Sequence, residues 1–117
     1  MINKFIVLIL LFSLSSCLKD NSSPNPTKSK YKYYVSGTSG SYSVTIENAN
    51  NNTQQFDPIG NGWAYTWEQT GKRWLYLSAQ NNNSTGTVVV RIYKDGVIIA
   101  SNKSVGGHTI ADVSGTY

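Results

Sequence analysis

Between Thr87 and Ser101 the chain reads TVVVRIYKDGVIIAS, two runs rich in β-branched residues separated by Asp-Gly. β-Branched side chains suit the pleated, half-buried surface of a strand. Asp and Gly tolerate the positive φ angles of a two-residue hairpin turn. The segment therefore predicts a hairpin in which Lys94 faces Val97, Tyr93 faces Ile98 and Ile92 faces Ile99. Val88, Val90, Ile92, Val97 and Ile99 then share one face, assigned to the core, and Val89, Arg91, Tyr93, Ile98 and Ala100 share the other. The second face is too apolar to be wholly solvated, so a neighbour or a ligand is expected to cover part of it.

The same two-residue period recurs upstream. Tyr31, Tyr33 and Val35 alternate with Lys32 and Tyr34. Tyr42, Val44 and Ile46 alternate with polar residues, Trp63, Tyr65 and Trp67 with Ala64, Thr66 and Glu68, and Leu75, Leu77 and Ala79 with Trp74, Tyr76 and Ser78. Turn clusters separate these runs: GTSG from Gly37, ANNNT from Ala49, GNG from Gly60 and NNNSTG from Asn81. Asp57-Pro58 also reads as a turn. With a tail strand around Ala111–Ser114 and no helical period, residues 31–117 are expected to form an all-β antiparallel sandwich of seven to eight strands.

The first thirty residues follow another logic. Met1–Lys4 is a short basic start, Phe5–Phe12 (FIVLILLF) is an unbroken apolar run, and small serines follow. That is the plan of a secretory signal peptide, and the run is shorter than the roughly 18 residues a spanning helix needs. Leu14-Ser15-Ser16-Cys17 resembles the lipobox of bacterial lipoproteins. The resemblance implies removal of residues 1–16 and acylation of Cys17, the single cysteine of the chain. With no second cysteine there is no internal disulfide, and Cys17 is read as the lipid anchor. Leu18, where an aspartate would mark retention in the inner membrane, points to the outer membrane of the envelope. Residues 17–30 (CLKDNSSPNPTKSK) are polar and proline-containing, the composition of a disordered tether.

Charge narrows the function. The net charge is +4, but Lys4, Lys19, Lys28 and Lys30 lie before the domain. From Tyr31 onward the charges nearly balance, without the basic face that phosphate-backbone binding requires, so no nucleic-acid partner is expected. His108, the single histidine, sits among glycines and reads as a loop or strand-end residue. No Cys/His cluster suggests a metal or cofactor, and no G-x-S-x-G elbow joins Ser104, His108 and Asp112 into a triad. The five acids of the domain are mostly turn-like. The chain is read as non-enzymatic.

The aromatics carry the candidate site. Eight tyrosines and three tryptophans are too many for a core this small. If Leu75 and Leu77 face inward, Trp74 and Tyr76 stand on the outer face of their strand, with Arg73 beside them. Arg73, Trp74, Tyr76, Arg91 and Tyr93 are the candidate binding surface, since Arg, Trp and Tyr are the usual anchors of binding energy.

Segments YVSGTSGSYSVTIEN (Tyr34–Asn48), LYLSAQ (Leu75–Gln80), GTVVVRIYKDGVIIASN (Gly86–Asn102) and the closing Ser114-Gly115, with the Trp63 run between, resemble in order the mycobacterial small membrane protein (MmpS) family. The resemblance implies an immunoglobulin-like sandwich held at a membrane as an accessory to large exporters. It departs in its anchor, which is a transmembrane helix in that family and a lipobox here. The expected function is a non-enzymatic, lipid-anchored envelope protein whose sandwich binds a partner, as an accessory to a membrane export system. The alternative is a cell-surface polysaccharide-binding or adhesion module working through Trp74 and Tyr76.

Overall fold

The computed structural model describes residues 27–117, so the leader and Cys17 lie outside the described residues. Eight strands follow one another: β1 (Ser29–Gly37), β2 (Tyr42–Glu47), β3 (Thr53–Ile59), β4 (Trp63–Gln69), β5 (Trp74–Asn81), β6 (Thr87–Lys94), β7 (Val97–Val105) and β8 (Ile110–Thr116). They form two four-stranded antiparallel sheets, β4-β1-β6-β7 and β3-β2-β5-β8. Only β2–β3 and β6–β7 are hairpins within a sheet; every other connection crosses to the opposite sheet. The expected antiparallel sandwich of seven to eight strands is the fold of the chain.

Alternation places the core. Tyr31, Tyr33 and Val35 of β1, with Val88, Val90 and Ile92 of β6, form one buried face. Tyr42, Val44 and Ile46 of β2, with Leu75, Leu77 and Ala79 of β5, form the other. Each fully buried Leu or Ile contributes on the order of 1.5–3 kcal/mol. The side of the sandwich toward β3 and β4 is filled by rings instead: Trp67 lies 4.6 Å from Tyr33 and 5.5 Å from Tyr31, and Trp63 5.0 Å from Phe56, centroid to centroid. Offset and tilted pairs at such distances add about 0.5–1.5 kcal/mol each.

Three tyrosines bring polar tips into this apolar layer, and each tip is bonded. The Tyr33 hydroxyl donates to Glu47 O (2.8 Å) and accepts from the Tyr76 N–H (3.4 Å), one step beyond the last Ile46–Leu77 rung between β2 and β5. Burial pushes its pKa up to about 12, while the Tyr76 N–H bond works in the opposite direction. Tyr42 accepts from the N–H groups of Ser39 and Gly40 and donates to Thr87 O, closing the β1–β2 corner. Tyr65 accepts from Ala49 N–H.

The β6–β7 hairpin forms as the sequence predicts at its turn and departs from it two residues on. Asp95 (φ 50°) and Gly96 (φ 81°) both occupy the left-handed region, the geometry of a type I′ turn. Lys94 pairs with Val97 and Tyr93 with Ile98, but Ile92 pairs with Ala100 rather than Ile99. Ile99 is the extra residue of a β-bulge, which changes the face that each later residue of β7 presents. Beyond the bulge Ala100 packs against the core in register with Ile92, while Ile99 remains partly buried there; Val97, which precedes the bulge and pairs with Lys94 beside the turn, is 64% exposed rather than core. The Asp57-Pro58 step is likewise not a turn. It lies inside β3, an edge strand, beside a register shift between Tyr42 and Val44, and an edge or a bulge is where a sheet tolerates proline.

Candidate functional site

The five candidate residues do not gather on one surface. Trp74 and Tyr76 stand on the outer face of β5, as their alternation with buried Leu75 and Leu77 requires. Arg91 and Tyr93 stand on the outer face of β6, which belongs to the other sheet. The two pairs therefore point away from each other across the sandwich. Arg73 joins neither. Its guanidinium donates to Asn48 O, Ala49 O and Asn51 Oδ1, and Cζ lies 5.4 Å from the Trp67 ring centroid. It ties the β2–β3 loop to the end of the core, a structural task that its place beside Trp74 in sequence conceals.

Of the two outer faces, that of β4-β1-β6-β7 carries the richer chemistry. Register sets Lys32 opposite Thr66 and Tyr93, and Tyr34 opposite Ala64 and Arg91. The Lys32 ammonium lies 4.5 Å from the Tyr93 ring centroid and 5.5 Å from that of Tyr34, and the two rings meet edge to face at 6.2 Å. Ammonium–ring contacts of this kind contribute about 0.5–1 kcal/mol at exposed sites. Arg91 Nε is buried without a hydrogen-bond partner. Val89 and the half-exposed Ile98 extend the face toward β7. A cavity of about 460 Å³ opens beside it, lined among others by Lys30, Lys32, Thr66, Glu68, Tyr93 and Gly96. Such a site offers an aromatic wall, two ammonium groups, a carboxylate and two hydroxyls. Lys32 and Tyr34 are its unforeseen members. Their signal was present in the alternation that turns them outward between buried Tyr31, Tyr33 and Val35.

The opposite outer face is polar. Around Trp74 and Tyr76 it presents Thr45, Ser78, Gln55 and Asp112 in cross-strand rows. Trp74 is 53% exposed and opens this face at the start of β5. Ser43 Oγ donates to Asp57 Oδ1 at 2.7 Å. Ser104, His108 and Asp112 go separate ways: the Ser104 hydroxyl donates to Ile110 O, His108 occupies a turn with φ 56°, and Asp112 lies opposite Ser78 on the outer face. Among the described residues no three His, Cys, Asp or Glu side chains come together at metal-binding distances, and no helix is long and apolar enough to cross a membrane.

No family model matches the chain, and no curated protein is significantly similar to it.

Proposed function

We propose that this chain is a lipid-anchored protein of the bacterial envelope, without catalysis of its own, whose sandwich binds a partner protein on the outer face of β4-β1-β6-β7. The observation that carries this reading is the outward cluster of Lys32, Tyr34, Arg91 and Tyr93 beside the cavity. Aromatic rings and an arginine held on a rigid sheet are the side chains that most often dominate interface energies. The leader and the LSSC segment support the anchor at Cys17, and Leu18 after it favours the outer membrane as its site. The resemblance to exporter accessories makes a membrane export component the first partner class to test.

Photo-crosslinkers placed at Tyr34 and Tyr93 in cells, followed by mass spectrometry, test the reading. Adducts with one membrane protein, lost in the Arg91→Ala variant, are the expected result. Scattered adducts that ignore Arg91 would defeat it. The same digest reports whether the mature chain begins at an acylated Cys17. A polysaccharide-binding role has its own support in the exposed Trp74 ring on a polar sheet face. It predicts a shift in tryptophan emission on titration with envelope glycans that Trp74→Ala removes.

A further inference from the structure

The chain enters the sandwich at one end, and that end differs from the other in charge and in what it exposes. Several contacts define it. Lys30 N–H donates to Asp95 Oδ1 and Asp95 N–H to Lys30 O, joining the start of β1 to the β6–β7 turn. The backbones of Arg73 and Tyr117 exchange hydrogen bonds, joining the start of β5 to the C-terminus. The Arg73 guanidinium then reaches the β2–β3 loop and covers Trp67 near the end of β4.

In the half of the domain nearest this entry end, Lys28, Lys30, Lys32, Lys72, Arg73 and Lys94 outnumber Glu47, Glu68 and Asp95 by two to one. In the far half Arg91 and Lys103 are matched by Asp57 and Asp112. Both ends expose aliphatic side chains, Val97 here and Val105 and Ile110 there. Only the entry end adds an exposed indole, that of Trp74, which is the first residue of β5. Tryptophan with lysines around it is the combination that settles at an anionic membrane interface.

We infer that the entry end docks on the anionic lipid surface, with Trp74 at headgroup depth and Lys28, Lys30, Lys72 and Lys94 facing the headgroups. The inference rests on the anchor at Cys17 proposed above. Twelve residue steps separate Cys17 from Ser29, which reach at most about 40 Å when fully extended. The entry end is thus the part of the domain held nearest the bilayer, and at such tethered concentrations a contact too weak to act between free molecules suffices.

The test uses the lipidated full-length mature protein, reconstituted in vesicles of brominated phosphatidylcholine with or without phosphatidylglycerol. Bromine quenches indoles that reach the interface. Trp74 is one of three tryptophans, so docking on the anionic vesicles removes up to about a third of the emission. The quenching disappears in Trp74→Phe, in high salt, and in the quadruple Lys→Gln variant at positions 28, 30, 72 and 94. Equal emission on neutral and anionic vesicles, or quenching that persists in Trp74→Phe, overturns the inference. Flotation in high salt reports the anchor separately: protein that floats but is never quenched keeps the anchor and loses the docking, and protein that fails to float has lost the anchor.

Discussion

Tyr33→Phe is the sharpest test of how the core is held together. The substitution keeps the ring, with its contacts to Trp67 and Tyr65, and removes only the hydroxyl. That oxygen makes a short bond to Glu47 O and a long one to Tyr76 N–H, between two strands that are no longer paired at that level. Losing a net hydrogen bond and leaving a part-buried carbonyl unsatisfied costs about 2 kcal/mol. For a domain of this size that lowers Tm by about 10 °C. The pKa of Tyr33 adds a second signature. It stands at about 12 in the folded protein, against about 10 in an unfolded chain. A raised pKa means that the neutral hydroxyl is favoured by folding, so its contribution is complete below pH 10 and is lost as pH rises through 12. The loss is on the order of 2 kcal/mol, similar to the cost of the substitution. Urea unfolding of wild type and Tyr33→Phe, followed at pH 7, 10 and 12, therefore gives a stability gap that is constant to pH 10 and then closes. Other titrating groups cancel in that difference. A gap below about 0.5 kcal/mol at pH 7, or one unchanged at pH 12, would refute the reasoning.

Other positions give independent checks. Arg73→Lys keeps the charge but cannot reach Asn48 O, Ala49 O and Asn51 Oδ1 together; it should cost about 1–2 kcal/mol and speed amide exchange at Ala49 and Asn51. Asn81, fully buried, donates to Thr85 O and Gly106 O and accepts from Asn83 N–H. Asn81→Ala should lower stability by about 3 kcal/mol, and Asn81→Asp should not rescue it, because a carboxylate cannot donate to two carbonyls. A Cβ at Gly37 would lie 2.1 Å from Thr87 O, so Gly37→Ala should destabilise by more than about 2 kcal/mol in the same unfolding assay. Gly96→Ala, at φ 81° in the hairpin turn, should cost about 1 kcal/mol.

Strand positions were legible wherever one face of a strand is buried, because burial imposes the two-residue period. β1, β2, β5 and β6 alternate buried with half-buried residues along most of their length and announce themselves in the sequence. β3 does not. Its TQQFDPI is mostly exposed, with Phe56 and Ile59 as its partly buried apolar members, so no period forms and Asp-Pro reads as a turn. The bulge at Ile99 was equally hidden, since an alternating pattern gives no sign of one extra residue. The candidate surface failed as a group for a different reason. Strand alternation assigns a residue to a face but does not say which sheet that face belongs to, and β5 and β6 are consecutive strands in opposite sheets. Arg73 shows a further limit: its role depends on carbonyls more than twenty residues away in sequence.

The two surfaces proposed for binding are compatible because of how the strands run. All eight strands lie roughly along the axis that joins the entry end to the far end, since each connection turns back at one end or the other. With the entry end against the bilayer, that axis stands across the membrane plane and both outer sheet faces look sideways. Lys32, Tyr34, Arg91 and Tyr93 then meet a neighbour rooted in the same membrane, at a height set by Tyr93 near the entry end and Arg91 above it. Docking would remove most rotational freedom before the partner arrives, and ordering prepaid in this way raises affinity without a new contact. A lysine-to-glutamine variant at positions 28, 72 and 94, which spares Lys30 in the cavity lining, should accordingly weaken partner crosslinking at Tyr34 and Tyr93 although it alters no residue of that site. If crosslinking were unchanged while vesicle docking was lost, the two surfaces would act independently, and the orientation argument would fall while each site stood alone.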